Sequence, residues 1–160
     1  MDGEAGYCFM ANGASNHKRV LVVDDEPGVL SFVCAKLTAV GYEVVAAING
    51  EDAIREARSH PFDAVLLDLF MIPMSGFLVL DRLRSFSDVP VIIFTAHPYL
   101  AEKALRLGAN DFIAKPFDPD ILVAKIRRLV ADDGPSVHRT PAGDARPSRE
   151  KTASGGGQYN

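Results

Sequence analysis

The chain has 160 residues, of which 48% are hydrophobic and 24% are charged, and its formal net charge is −4. This length fits one domain with enough apolar residues to form a core. The negative charge argues against a dedicated nucleic-acid binder, because affinity for the phosphate backbone needs a cationic face. We therefore expect no direct DNA binding.

Cysteine content and hydropathy indicate a cytoplasmic protein. Cys8 and Cys34 are the only cysteines, too few for a disulfide framework or a cysteine metal cluster. The N-terminus lacks the basic and apolar regions of a secretory signal. No apolar run reaches the roughly 18 to 20 residues that a membrane helix requires, so we expect no membrane association.

The two ends of the chain differ in composition from the middle. Residues 1–18 show no hydrophobic periodicity, and residues 134–160 are rich in Gly, Pro and Ser. Such segments bury too little apolar surface to offset the entropy of ordering. We predict a flexible N-terminal segment over 1–18, a folded domain over 19–133 and a disordered tail over 134–160. The tail shows no pattern of an output domain, so we expect the folded domain to act alone, through binding.

Five short apolar runs predict strands that are covered on both faces. In chain order they span residues 20–23, 44–47, 64–67, 91–94 and 112–114. Segments with apolar residues at helical spacing lie between and after them, and Pro27 and Pro119 suit the first turns of two of these helices. Regular βα alternation of this kind predicts an α/β domain with a doubly wound, five-stranded parallel sheet.

Acidic, hydroxyl and cationic side chains follow the predicted strands at their carboxyl ends: Asp24, Asp25, Glu26, Asp68, Thr95 and Lys115. Ligands collect at this edge of an open parallel sheet. Clustered carboxylates repel one another unless a metal ion or a lysine compensates their charge. Mg²⁺ is the natural candidate, because it takes one or two carboxylates together with phosphoryl oxygens and water.

Each of these side chains also has a structural interpretation. Acids at a helix start are favoured by the helix dipole, Thr95 fits an ordinary strand, and Lys115 fits a solvated surface. Asp68 is harder to explain in this way, because it interrupts an apolar stretch. Pro116 after Lys115 is compatible with a turn or with a cis peptide that aims the lysine inward. The joint pattern is more specific than its parts and predicts a functional site.

Residues 19–131 resemble the receiver domain of two-component response regulators. The resemblance rests on RVLVVDDEP, DAVLLDLFMIPMSG, VPVIIFTA and GANDFIAKPF. It implies a stand-alone receiver domain with a flavodoxin-like strand order 2-1-3-4-5. It also implies that Asp68 is the phosphoacceptor and that Asp24, Asp25, Asp68 and the Phe70 backbone carbonyl hold Mg²⁺.

The resemblance further assigns a switch. Thr95 and Lys115 match the hydroxyl and ammonium that contact the phosphoryl oxygens, and Phe112 matches the aromatic switch position. The implied donor is a sensor histidine kinase or a histidine phosphotransfer protein. The implied output is an effector protein that reads the face of helix 4, strand 5 and helix 5. Such a domain is not an enzyme, although it promotes its own phosphoryl transfer and slow autodephosphorylation.

Two segments depart from the family pattern. Ile72 and Pro73 stand four and five residues after Asp68, where Pro and Gly are common, and Gly76 keeps its place. Because Pro restricts the backbone, this loop could aim the Phe70 carbonyl differently. The segment 95–108 is about two residues shorter than the family pattern, so the loop or the first turn of helix 4 is trimmed.

His97 follows Thr95 by two residues, at a position thought to influence loss of the phosphoryl group. One interpretation is an exposed loop histidine. The other is that Phe70 and His97 are dephosphorylation modulators that screen the acyl phosphate from water and slow its hydrolysis.

Other classes of function fit these residues less well than the receiver interpretation does. A receiver-like interaction module that is not phosphorylated is the main alternative, favoured only by the Ile72-Pro73 loop. A haloacid-dehalogenase-like phosphatase would need a second Asp where Phe70 stands. A flavodoxin-like FMN carrier would need a loop rich in Ser, Thr and Gly where this chain has Asp-Asp-Glu-Pro.

Overall fold

The computed structural model describes residues 17–131. The predicted flexible segment 1–18, apart from its last two residues, lies outside this part of the chain. The predicted tail 134–160 lies wholly outside it, as do the last two residues of the predicted domain 19–133. These domain boundaries stay predictions.

Strands and helices alternate along the described chain as the sequence predicts. The strands are β1 (Arg19–Val23), β2 (Glu43–Ala47), β3 (Ala64–Leu67), β4 (Val91–Thr95) and β5 (Asp111–Ala114). The helices are α1 (Pro27–Ala39), α2 (Gly50–Ser59), α3 (Gly76–Arg84), α4 (Ala101–Arg106) and α5 (Pro119–Ala131). Thr95 belongs to β4 itself, so this strand is one residue longer than the apolar run predicts.

The five strands form one parallel sheet in the order β2-β1-β3-β4-β5, which confirms the predicted topology. Val23, the last residue of β1, pairs with Ala47 of β2 on one side and Leu67 of β3 on the other. Three strands therefore end level with one another, and whatever follows each of them meets at one edge.

Apolar side chains of successive strand residues point to opposite faces of the sheet, and each face has its own core. Leu21 and Val23 pack with α2, α3 and α4, whereas Val20 and Val22 pack with α1 and α5. Burial on both faces explains why the strands are almost uniformly apolar. It also fixes the sheet as a rigid base under its polar edge.

Helix starts follow from local sequence signals. Pro27 and Pro119 occupy the first residues of α1 and α5, where the missing N–H costs nothing. Asn49 caps α2 by accepting a hydrogen bond from the Asp52 amide at 2.8 Å. Among residues 17–131, no helix is long and apolar enough to cross a membrane.

The segment between Thr95 and Gly108, which the sequence predicts to be short, contains the shortest of the five helices in the described chain. A 3₁₀ turn over Pro98–Leu100 leads directly into the six-residue α4. Gly108 then ends the helix in a left-handed conformation with φ of 102°, which a residue without Cβ adopts easily. This part of the molecule is therefore a short, tight connection between β4 and β5.

Candidate functional site

Asp24 and Asp25 follow β1 directly but have different environments. Asp24 is fully buried, its amide donates to the Ala47 carbonyl at 3.2 Å, and its Oδ1 accepts from the Glu26 amide at 2.9 Å. Asp25 is exposed. The backbone thus fixes the Asp24 carboxylate inside the site and leaves Asp25 at its entrance.

Asp68 follows β3 and lies beside the same strand end. Its amide donates to the Val23 carbonyl at 2.9 Å, and the residue is only 4% exposed. The first residue of α3, Gly76, packs directly on the Asp68 backbone, since a Cβ at position 76 would lie 2.0 Å from the Asp68 carbonyl oxygen. Only glycine fits there, so the start of α3 fixes where the carboxylate lies.

The three aspartates form an oxygen site of the type that Mg²⁺ prefers. Carboxylate oxygens of Asp24, Asp25 and Asp68 all lie within 4.8 Å of one another. Hard oxygen donors in a partly open cluster match the ligand preference of Mg²⁺. The donor set therefore fits the predicted ion, while the role of the Phe70 carbonyl stays a prediction.

Lys115 supplies a cation to this cluster. Its Nζ lies 2.5 Å from Asp24 Oδ2, 3.7 Å from Asp68 Oδ1 and 3.8 Å from Glu26 Oε1. The Lys115 amide donates to the Thr95 carbonyl at 2.9 Å, and the peptide between Lys115 and Pro116 is cis. Three aspartates and one ammonium leave two negative charges uncompensated, which suits a divalent cation.

Burial raises the pKa of the Asp68 carboxyl to about 6. The positive charge of Lys115 opposes this rise, the neighbouring Asp24 adds to it, and the amides of Phe70 and Leu69 lower the pKa by hydrogen bonding. The carboxylate that the sequence singles out is therefore one whose pKa is strongly raised by its surroundings. Perturbed groups of this kind concentrate at functional sites.

Thr95 and Phe112 lie on the neighbouring strands β4 and β5. Thr95 is fully buried, and its Oγ1 accepts a hydrogen bond from the His97 amide at 3.1 Å. Phe112 is half-buried and packs against the core between the sheet and helices α2, α3 and α4. The structure therefore brings Thr95 to the same edge as Asp68 and Lys115, with Phe112 on the adjacent strand.

Phe70 and His97 contact each other across the gap between the loops after β3 and β4. Their ring centroids are 4.1 Å apart at an interplanar angle of 39°. Tyr99 extends the contact, with its ring 5.6 Å from that of His97. Sequence reasoning missed Tyr99, because nothing in the local pattern indicates that the 3₁₀ turn carries its ring back to His97.

The unusual Ile72-Pro73 loop is held in place by the residues on both sides of its tip. Met71 and Met74 are buried, Ile72 is 84% exposed, and the Ile72–Pro73 peptide is cis. The Gly76 amide donates to the Leu69 carbonyl at 3.0 Å, which closes the loop. The departure from the family pattern is thus confined to the exposed tip.

Sequence relatives agree with this geometry. A sequence model of the response regulator receiver domain matches residues 20–127. The transcriptional regulatory protein KdpE of Mycobacterium tuberculosis is 43% identical over 113 residues, which cover 69% of this chain and 50% of KdpE. The probable transcriptional regulator ycf27 of Cyanophora paradoxa is 40% identical over 117 residues, covering 72% and 49%. The chain spans about half the length of the curated relatives it matches.

Solved structures give the same assignment. The response regulator TrrA of Thermotoga maritima, in complex with Mg²⁺-BeF, has a TM-score of 0.66 and 34% identity over 70% of this chain and 98% of that one. The receiver domain of a Pseudomonas aeruginosa sensor histidine kinase, with magnesium in its active site cleft, has a TM-score of 0.67 and 29% identity over 72% and 98%. By its sequence, its sheet order and its acidic edge, the chain belongs to the response regulator receiver domain family.

Proposed function

We propose that this chain is a two-component signalling switch that accepts a phosphoryl group on Asp68. The observation that carries the proposal is the placement of the Asp68 carboxylate, which is 4% exposed, beside two further aspartates and the Lys115 ammonium. Phosphoryl transfer to a nucleophile in this position depends on positioning and charge compensation more than on covalent catalysis by another side chain.

The reaction moves a phosphoryl group from a phosphohistidine to Asp68. The N–P bond of the donor breaks, an O–P bond to an Asp68 carboxylate oxygen forms, and the donor imidazole leaves. The Lys115 ammonium, 3.7 Å from Asp68 Oδ1, is placed to neutralise negative charge on the equatorial oxygens. Bound Mg²⁺ would add Lewis-acid stabilisation of the same charge, held by Asp24, Asp25, Asp68 and the Phe70 carbonyl.

Asp68 must be ionised to act as the nucleophile. Because burial raises its pKa to about 6, a substantial protonated fraction persists in weakly acidic solution. A positive charge brought next to the carboxylate lowers this pKa and favours the reactive form. The same burial keeps the nucleophile away from bulk water.

Thr95 and Phe112 would transmit the phosphorylation of Asp68 to the protein surface. The Thr95 hydroxyl, now an acceptor for the His97 amide, would donate to a phosphoryl oxygen, and Phe112 would turn into the vacated space. The face formed by α4, β5 and α5 would then change for an effector protein. Asp111 of β5 already pairs with Lys125 and Arg128 of α5, which joins two elements of that face.

The proposed partners are a sensor histidine kinase or a histidine phosphotransfer protein, in the cytoplasm. The domain would promote its own phosphorylation and slow dephosphorylation without acting on a separate substrate. The named relatives are transcriptional regulators of about twice the matched length, so the predicted lack of DNA binding stays a prediction.

The test is the intact mass after incubation with acetyl phosphate, with and without Mg²⁺, for the wild type and Asp68→Asn. We expect a gain of about 80 Da that requires both Mg²⁺ and Asp68, because the site provides the nucleophile and the oxygen ligands. A folded wild-type protein that gains no mass would contradict the proposal. It would favour the receiver-like interaction module, with the Ile72-Pro73 loop as the altered element.

A further inference from the structure

Three aromatic rings join the loops that leave β3 and β4. The Phe70 and His97 ring centroids are 4.1 Å apart, and the His97 and Tyr99 rings meet edge-on at 5.6 Å and 84°. The Tyr99 hydroxyl also lies 3.3 Å from His97 Nδ1. His97 therefore contacts Phe70 through its ring and Tyr99 through both the ring and the hydroxyl.

The outer members of this chain of rings are exposed, and the middle one is partly buried. Phe70 is 51% exposed and Tyr99 is 72% exposed, whereas His97 is partly buried between them. An exposed aromatic ring gains little from the core, so the ring contacts themselves decide where these side chains lie. Removing Tyr99 would leave Phe70 as the one remaining partner of the His97 ring among the described residues.

The backbone of His97 is tied to the reaction site. Its amide donates to Thr95 Oγ1 at 3.1 Å, while its ring contacts Phe70, two residues after Asp68. Because the Thr95 oxygen accepts this hydrogen bond, the hydroxyl hydrogen remains available for a phosphoryl oxygen. A single residue thus connects the hydroxyl beside the nucleophile with the rings that bridge the two loops.

We infer that Tyr99 is a positioning residue, which holds His97 against Phe70 so that the three rings restrict the approach of water to phosphorylated Asp68. This inference rests on the proposed function. A phosphoryl group on Asp68 would project between the loops after β3 and β4, and the Phe70–His97 contact spans that gap. In hydrolysis, a water oxygen bonds to phosphorus, the Asp68 O–P bond breaks, and carboxylate, inorganic phosphate and a proton are released.

The experiment measures the rate at which the phosphorylated full chain loses about 80 Da after acetyl phosphate is removed. We expect phosphorylated Tyr99→Leu to lose its phosphoryl group about twofold to tenfold faster than the wild type. This range is the free energy of an aromatic contact converted into a ratio of rates. Tyr99→Phe keeps the ring and loses the hydroxyl, so its rate should fall between the two. This graded rescue separates positioning from a general loss of structure.

Two further variants show whether Tyr99 acts through His97 and Phe70. Phe70→Leu should also accelerate hydrolysis, and the Phe70→Leu/Tyr99→Leu double variant should be no faster than the faster single variant, since both act on one contact. Phe32→Leu is the matched control, because Phe32 is 55% exposed on α1, outside the site. Its rate should equal that of the wild type. Multiplicative effects in the double variant would overturn the inference.

A second measurement does not depend on phosphorylation. The ring proton resonances of His97 in unphosphorylated protein, assigned with His97→Gln, should move in Tyr99→Leu and stay in place in Phe32→Leu. Adduct formation with equal hydrolysis rates in the wild type and Tyr99→Leu would overturn the inference and leave the proposed function standing. A wild type that forms no adduct would refute the proposed function and, with it, the inference.

Discussion

Charged side chains at the two edges of the sheet differ in their exposure to solvent and in their charge balance. At the amino edge, Lys18 pairs with Asp63 at 3.4 Å and Arg19 with Glu43 at 2.8 Å, with every partner at least 22% exposed. At the carboxyl edge, the Lys115 side chain is 14% exposed and faces the buried carboxylates of Asp24 and Asp68. The Lys18–Asp63 and Arg19–Glu43 pairs each balance one charge with one, whereas the carboxyl edge keeps a negative excess.

This contrast separates structural charge from functional charge. Exposed and balanced ion pairs contribute little free energy and call for no further ligand. A buried excess of one sign is costly unless a cation or a reaction uses it. The uncompensated edge is therefore the one where chemistry is expected, and the following variants test the contrast in order of expected effect.

The largest effect is expected from Lys115→Gln, which removes the cation of the carboxyl edge. The rate of phosphorylation by acetyl phosphate should fall about 100-fold, the usual consequence of losing one group that stabilises transition-state charge. Mass spectrometry over a time course measures this rate. Lys18→Gln at the amino edge is the control, and an equal loss in that variant would remove the distinction between the edges.

Gly76→Ala should be the most destabilising change at the carboxyl edge. The new methyl group would meet the Asp68 carbonyl oxygen at 2.0 Å, so the backbone at Asp68 or the start of α3 must move. We expect the free energy of unfolding to fall by about 3 kcal/mol, at the upper end for overpacking, as measured by urea denaturation.

Gly28→Ala is the matched glycine control. A Cβ at position 28, in the first turn of α1, meets nothing within 4 Å. Its stability should stay the same or rise, because alanine favours the helix. If both variants were destabilised equally, close packing on Asp68 would not be the cause of the stability loss in Gly76→Ala.

Asp68→Asn should stabilise the metal-free protein at neutral pH. Because the folded-state pKa of Asp68 is raised from 3.8 to about 6, the folded protein binds the proton more tightly than the unfolded chain does. The wild type therefore loses stability as pH rises from 4 to 6, and the loss persists above 6.

The difference should reach about 2 to 3 kcal/mol in favour of Asp68→Asn at pH 7, the lower figure allowing for solvent screening, and shrink towards pH 4. Denaturation in EDTA across this pH range measures it. An unchanged difference across the range would show that ionisation of Asp68 carries no cost in the fold.

The smallest effect is expected from Glu43→Gln at the amino edge. This change removes the partner of Arg19, but the pair is partly exposed and Arg19 also lies over the Phe62 ring. Stability should fall by less than about 1 kcal/mol, and phosphorylation should be unchanged. A loss as large as that of Gly76→Ala would mean that the amino edge is more tightly coupled to the fold than its exposure indicates.

Sequence reasoning recovers the parts of this molecule that depend on local chemistry. Uniformly apolar runs predicted all five strands. A strand that is buried on both faces has no alternating polar residues, so it stands out as a continuous apolar run. Residues at strand ends, such as Asp68 and Lys115, could be placed at one edge because parallel strands end together. The two prolines that begin α1 and α5 were likewise predictable from their fixed backbone geometry.

Features that depend on contacts between loops could not be read in this way. The Tyr99–His97 contact depends on the path of a 3₁₀ turn, and the 3.8 Å approach of Glu26 to Lys115 depends on a side-chain conformation. The close packing of Gly76 on Asp68 is also a tertiary contact between a helix start and a strand end. Hydrophobic periodicity carries no information on such distances.

The closed loop between Asp68 and α3 has a practical consequence for labelling. Its base is fastened by the Gly76–Leu69 hydrogen bond and by two buried methionines, whereas Ile72 at its tip is 84% exposed. A reporter dye attached at position 72 would lie a few residues from Asp68, the proposed phosphoacceptor, without replacing any group that positions its side chain. The segment that departs most from the family pattern is thus the most suitable place from which to follow the switch in real time.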